Sequence, residues 1–137
     1  MTADEVVDAS IVVRLLQNRR DVHELRSHIG RQRHLHAPSL IDAEVTSAIR
    51  GLLLTSKPDI KISSARADEM IADFTDLPVL RYPMLPYLSR VLELRGNYTA
   101  YDGLYVALAE ALDMPLLTDD RKYAKAAGSS ATIETWP

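Results

Sequence analysis

The strongest restriction on this chain is the alternation of two hydrophobic rhythms along it. Short apolar runs bounded by turn residues keep recurring between segments whose apolar positions repeat every three to four residues. DEVVDAS offers a short strand ending at Asp8, and Ile11 to Leu16 then carries a helical period. Asp21 to Ile29 reads as a second helix closed by Gly30, and HLHAP around Leu35 as the next strand. Pro38 sits where helix starts tolerate proline, and Leu40 to Leu54, apolar at 41, 45, 48, 49 and 52, is an amphipathic helix. KPDIKISS is a polar connection; Ala67, Met70, Ile71 and Phe74 mark another helix; Pro78 to Tyr82 is a third strand. Tyr87 to Arg95 is helical and stops at Gly96 and Asn97, and Thr99 opens a helix reaching Asp113 that is apolar on most faces, so it should be largely buried. Pro115 to Thr118 is a fourth strand, Asp120 to Ala127 a helix, and Thr132 to Trp136 a last short strand. Strands and helices in this order call for a three-layer α/β/α domain with a central, mainly parallel sheet of four to five strands, spanning residues 1–137 as one unit.

Composition agrees with that reading. Of 137 residues, 47% are hydrophobic and 26% charged, which suits a globular domain with a true core, and the absence of cysteine excludes disulfide scaffolds and zinc–thiolate modules. No apolar run approaches the roughly 20 residues of a membrane span. The acidic start MTADEVVDAS has no apolar core of signal length, so a cytoplasmic location is expected. A net charge of -3 argues against coating nucleic acid by bulk charge, yet the charge is uneven. Arginines 14, 19, 20, 26, 31 and 33 oppose only Asp21 and Glu24 in the stretch from Arg14 to His36, while the chain beyond Asn97 is net acidic. A basic stretch beside an acidic one suits an anionic substrate approaching a metal-binding cluster, or simply a solvated helix face.

Ligands in such sheets sit outside the carboxyl ends of the strands, so the acids there carry most of the functional information. Asp8 closes the first strand and can act either as an N-cap, with Ser10 as a competing cap, or as a ligand. Glu44 shares a helix face with Ile41, Val45 and Ala48, and a carboxylate on an apolar stripe needs a cation or a hydrogen-bond partner. Asp42 points elsewhere and suits the helix N-terminus. Asp102 follows Thr99 by three residues, as in a capping box, and Thr118-Asp119-Asp120 follows the fourth strand, where capping again competes with ligation. Taken together, these acids fall at the ends of the first and fourth strands and on the inner ends of two helices. Two like charges about 4 Å apart repel by roughly 4 kcal/mol at an effective dielectric near 20, so a cluster of four requires cations or protons. Oxygen ligands select hard ions, Mg²⁺ or Mn²⁺, which can polarise a phosphodiester and activate water.

The segments VVDAS, HAPSLIDAEVTSAIR, TAYDGLYVALAEAL and PLLTDDRKYAKA, in this order, resemble a PIN-domain ribonuclease, specifically a VapC toxin of a bacterial toxin–antitoxin pair. The resemblance runs from Val6 to about Ile133. It implies that Asp8, Glu44 and Asp102 are metal-binding acids and that the family's Thr-x-Asp selects Asp120, with Thr118 as a polar helper and Asp119 at the variable position, where it substitutes or assists. Ser10 matches the small polar residue two after the first Asp. The family further implies a PIN-like fold, Mg²⁺- or Mn²⁺-dependent endoribonuclease activity, a homodimer, and neutralisation by a VapB-type antitoxin.

On this reading Asp8, Asp102 and Asp120 hold the metal while Glu44 binds it or orients water, and Arg14, Arg19, Arg20 and Arg121 are candidates for phosphate contacts with an RNA substrate. His34 and His36 alternate on a strand, with His23 and His28 nearby, so a histidine metal site competes with two half-buried imidazoles at a strand edge. Trp136 is expected to anchor the C-terminus. Two rival functions stand beside the nuclease: a non-catalytic PIN-fold binding module, and a receiver-type phospho-acceptor domain, which lacks an Asp at the end of the third strand here.

Overall fold

The computed structural model describes residues 4–18, 22–31, 34–125 and 128–137. Five short strands, β1 (Glu5–Val7), β2 (Leu35–Pro38), β3 (Val79–Tyr82), β4 (Leu116–Thr118) and β5 (Ile133–Thr135), form one sheet in the order β3-β2-β1-β4-β5. Every pairing is parallel, with Val6 facing His36 on one side and Leu116 on the other. Between the strands run α1 (Ala9–Gln17), α2 (Val22–Gly30), α3 (Ile41–Leu54), α4 (Ser64–Asp76), α5 (Leu88–Glu93), α6 (Ala100–Leu112) and the short α7 (Lys122–Lys125). The expected α/β/α architecture is therefore present, and the sheet of four to five strands has five.

Parallel strands covered on both faces read as continuous apolar runs rather than alternating ones, and all residues of β1, β2 and β4 are buried. α1, α3 and α4 pack on one another, whereas α5 packs on α6 and α6 on β1 and β2. In α6 every residue from Gly103 to Ala109 is buried, which explains why its sequence is apolar on most faces. Each fully buried Leu or Val of that run contributes roughly 1.5–3 kcal/mol. Gly103 permits α5 to come close: a Cβ there would lie 3.2 Å from Val91 Cγ1.

The chain steps outward from β1 through β2 to β3, then returns to β4 and β5 on the other side of β1. Because the connections leaving the adjacent strands β1 and β4 lead toward opposite edges of the sheet, a crevice opens at the carboxyl ends of these two strands.

Local departures from the expected boundaries have identifiable causes. A 3₁₀ turn, Leu85–Tyr87, precedes α5 and holds Pro86, which has no N–H to donate in a longer helix. Gly30 is the last residue of α2 rather than the residue beyond it. The helix expected from Asp120 begins only at Lys122, because the Asp120 carboxylate accepts the Lys122 N–H at 3.0 Å and Thr118 Oγ1 accepts the Asp120 N–H at 3.0 Å, which keeps 118–121 in a turn. Asp21 and Ala127 lie outside the described residues.

The histidines divide. His36 is buried and bonds Tyr82 Oη at 2.8 Å through Nδ1, with Asp4 Oδ2 3.4 Å from Nε2; His34 is exposed, 4.0 Å from the same Asp4. The expected pair of half-buried imidazoles at a strand edge does not form: β2 lies inside the sheet, one ring is buried and the other exposed, and among the described residues the two form no ligand cluster. His28 instead lies 3.2 Å from the fully buried Glu5 carboxylate, near Glu134, and its ring packs against Trp136 at 5.0 Å. Trp136 also donates its N–H to the Thr118 carbonyl at 2.7 Å, so it does tie down the C-terminal end.

Candidate active site

Asp8 leaves β1 with extended backbone (φ −76°, ψ 152°) in the position of an N-cap for α1, yet its side chain makes no capping bond. The carboxylate instead accepts from Ser10 Oγ at 2.9 Å and from Thr118 Oγ1 at 2.8 Å, both on Oδ2. Of the two readings open for Asp8, capping by the side chain is therefore not realised. Thr118 is fully buried at the end of β4, so the bond crosses the crevice between the two central strands.

Asp102 gives a similar answer. Thr99 Oγ1 accepts the Asp102 N–H at 3.2 Å, which is half of a capping box, but the Asp102 carboxylate does not return the bond. Its Oδ1 accepts from Tyr123 Oη at 2.9 Å, and its Oδ2 pairs with Lys122 Nζ at 3.0 Å. Glu44, in the first turn of α3, accepts from Tyr105 Oη at 2.6 Å on Oε1. Tyr105 lies one turn beyond Asp102 on α6, so one helix supplies an acid and the donor that holds another.

The turn after β4 contributes Asp119 and Asp120. Asp120 bonds the Lys122 N–H through Oδ1 and lies 3.3 Å from Lys122 Nζ through Oδ2, so it both starts α7 and joins the charge cluster. Among the described residues the Asp119 carboxylate accepts no hydrogen bond, but its backbone N–H reaches Ser10 Oγ at 3.4 Å.

All five acids, Asp8, Glu44, Asp102, Asp119 and Asp120, line a single cavity of about 660 Å³ together with Ser10, Arg14 and Lys122. Burial pushes the Asp8 carboxyl up to about 6, against the pull of the Thr118 and Ser10 hydroxyls, and the charges of Glu44 and Asp102 add to the rise. Burial likewise raises the Glu44 carboxyl, opposed by the bond from Tyr105. Tyr105 and Tyr123 are held far above the ordinary phenol range, first by burial and then by the neighbouring carboxylates, so both stay neutral donors. Lys122 is raised chiefly by its bond to Asp102.

These donors suit a hard divalent cation. In Asp8 and Glu44 the protein secures one carboxylate oxygen, and among the described residues no donor reaches the other. An all-oxygen set with spare lone pairs is the chemistry of Mg²⁺ and Mn²⁺ sites rather than of zinc–thiolate or imidazole sites.

The positions of the basic residues are mixed. Arg14 lines the cavity and donates to the Pro137 carbonyl at 2.6 Å, Arg121 is exposed outside the lining, and Arg19 and Arg20 lie outside the described residues. Sequence reasoning missed Tyr105, Tyr123 and Lys122. A tyrosine within a helix apolar on most faces is itself a signal, since a buried phenol hydroxyl must find a partner. Lys122 had no such mark, because a lysine after two aspartates reads as ordinary surface.

A parallel α/β/α sheet that gathers five carboxylates into one cavity at the carboxyl ends of β1 and β4 defines the architecture of this domain. A family model described as PIN domain matches residues 6–129, and the chain belongs to this family. Within it, the chain is 40% identical over 100 residues to Ribonuclease VapC12 of Mycobacterium tuberculosis, covering 73% of this chain and 74% of that protein. It is 34% identical over 132 residues to Ribonuclease VapC9 of the same species, covering 96% and 98%. The fold is also that of VapBC2 from Rickettsia felis, solved bound to a promoter DNA fragment, with a TM-score of 0.69 at 13% identity over 98% of this chain and 99% of that one. The resemblance read from the sequence thus holds at the level of family and fold.

Proposed function

We propose that this protein is a metal-dependent endoribonuclease toxin of the VapC type, acting in the cytoplasm and neutralised by a VapB-type antitoxin. The observation that carries the reading is the convergence of Asp8, Glu44, Asp102, Asp119 and Asp120 on one cavity, with Asp8 and Glu44 each secured through a single oxygen. The names of the VapC relatives support the choice of RNA as substrate. Among the described residues no helix is long and apolar enough to cross a membrane.

In this reading Asp8, Asp102 and Asp120 hold Mg²⁺ or Mn²⁺, with Asp119 in reach of the same space. The bound ion supplies Lewis acidity at the phosphodiester and makes a nearby water more acidic. Glu44, with a raised carboxyl and a fixed Oε1, either adds a ligand or orients the attacking water through its other oxygen. Thr118 and Ser10 hold Asp8, Tyr123 holds Asp102, and Tyr105 holds Glu44, so each of these carboxylates has one oxygen fixed by a neutral donor; their oxygens are not drawn together into a tight cluster in the metal-free fold, so an ion would have to gather them. Arg14, inside the cavity, is placed for a phosphate of the RNA.

The test is cleavage of a total-RNA pool by purified protein with Mg²⁺ or Mn²⁺, beside Asp102→Asn and a chelator control. Discrete products lost in both controls are expected. Cleavage that persists in chelator overturns the metal mechanism, and intact RNA despite Mn²⁺ binding moves the non-catalytic binding module ahead. In cells, expression without antitoxin should arrest growth, and Asp8→Asn should relieve the arrest.

A further inference from the structure

Two cations line the cavity, and they are held differently. Arg14 points its guanidinium to the backbone carbonyl of Pro137, whereas Lys122 places its ammonium inside the acid cluster, 3.0 Å from Asp102 Oδ2 and 3.3 Å from Asp120 Oδ2. On both acids the other oxygen is already occupied, by Tyr123 Oη on Asp102 and by the Lys122 N–H on Asp120. The ammonium therefore sits on the two oxygens that these acids would offer to a metal. A divalent ion and an ammonium cannot occupy that position together: they are like charges seeking the same lone pairs.

We propose that Lys122 is a resident counter-ion that competes with the divalent metal for Asp102 and Asp120 and, once displaced, pairs with a phosphate of the bound RNA. This rests on the metal-nuclease reading above and adds to it a role for a residue outside the acid set. Three features favour it. The Lys122 side chain is 61% exposed, so each of its ion pairs is weak enough for a divalent ion to break. Its four-carbon stem is flexible and it carries a compact point charge, which suits a cation that must move a few ångströms and re-pair. Its backbone, by contrast, is fixed: Tyr123, the next residue, is buried and bonded to Asp102, so the displaced ammonium stays at the cavity rim instead of leaving with a mobile loop. The device also answers the repulsion among the carboxylates before metal binds, since one positive charge bridges two of them.

The decisive experiment titrates Mn²⁺ into the full chain by calorimetry, comparing wild type with Lys122→Met and Lys122→Arg at one pH and ionic strength. Lys122→Met should bind Mn²⁺ roughly three- to tenfold more tightly, from loss of two exposed ion pairs, and Lys122→Arg should stay near wild type. A second readout follows a fluorescent single-stranded RNA by anisotropy in Ca²⁺ over a salt series. Losing one phosphate contact should lower the slope of log affinity against log salt by about 0.7 in Lys122→Met. Equal or weaker Mn²⁺ binding by Lys122→Met, when wild type does bind Mn²⁺, overturns the competition. An unchanged salt slope overturns the phosphate contact. If wild type itself takes up no Mn²⁺, the metal centre is what fails, and the inference falls with it. Circular dichroism spectra that match wild type establish that each variant is folded before its titration is read.

Discussion

Replacing Asp8 by Asn should stabilise the metal-free fold while removing its chemistry. The Asp8 carboxyl is buried at 7% exposure and titrates near 6 in the fold against an ordinary 3.8. Keeping it ionised at pH 7.5 therefore costs about 3 kcal/mol of folding stability. The sign follows from proton binding: between these two values the folded state holds the proton more tightly than the unfolded chain, so stability is greatest below about pH 4 for this group and declines as pH rises through 6. Asparagine keeps an oxygen to accept from Ser10 and Thr118 but has no charge to bury. In a chelator at pH 7.5, Asp8→Asn should melt roughly 10 °C above wild type, a gap that shrinks to about half by pH 5. Added Mn²⁺ should narrow it from the other side, because only the carboxylate gains from the ion. Thermal unfolding followed by circular dichroism measures all three. A variant no more stable than wild type in chelator, or a gap indifferent to pH, would refute the account of Asp8 as a carboxylate held at energetic cost for ligation.

Tyr105→Phe removes the 2.6 Å bond to Glu44, and should slow RNA cleavage roughly tenfold while costing about 1–2 kcal/mol in a denaturant melt. Thr118→Val should impair cleavage more than Thr118→Ser, since only serine keeps the hydroxyl on Asp8; equal rates would show that the bond does not orient the acid. Glu110 is held down to about 2, first by its bond to Arg90, so the stability it contributes is complete above about pH 4.5 and is lost as pH falls toward 2. After solvent screening Glu110→Gln should cost on the order of 1 kcal/mol at pH 7 and nothing near pH 2, by urea unfolding at both. Gly103→Val, with its first carbon 3.2 Å from Val91, should push α5 off α6 and lower stability by about 1–3 kcal/mol, whereas Ala should be milder.

Much of this was legible in the chain because the relevant signals are local. The apolar strands, the helix period and the acids after the first and fourth strands can be read in windows of ten residues, whereas the order of the strands in the sheet cannot. The carboxylates announced themselves as charges on otherwise apolar stripes, Glu44 most clearly. What stayed hidden depended on contacts distant in sequence. Nothing near Thr118 says that its hydroxyl will meet Asp8, nor that Tyr123 will reach back to Asp102. Capping and ligation use the same residue types at the same spacing, so only the direction of the Asp8 and Asp102 side chains separates them. Lys122 was invisible for a further reason: its role depends on which two acids flank it in space, and one of them is on another helix.

The bond from Thr118 to Asp8 links residues 110 apart in the chain. A nascent polypeptide that has just passed Asp102 already carries three of the acids, but β4 has not joined β1, Asp8 has no hydroxyl from Thr118, and Tyr123 has not been made. Domains begin folding from the N-terminal side while synthesis proceeds at about 5–20 residues per second. At that point the emerging chain lacks the hydroxyls of Thr118 and Tyr123 that hold Asp8 and Asp102. On the proposed reading the centre would be complete only once β4 has joined β1, so the nuclease would stay inert toward its own message through most of its synthesis.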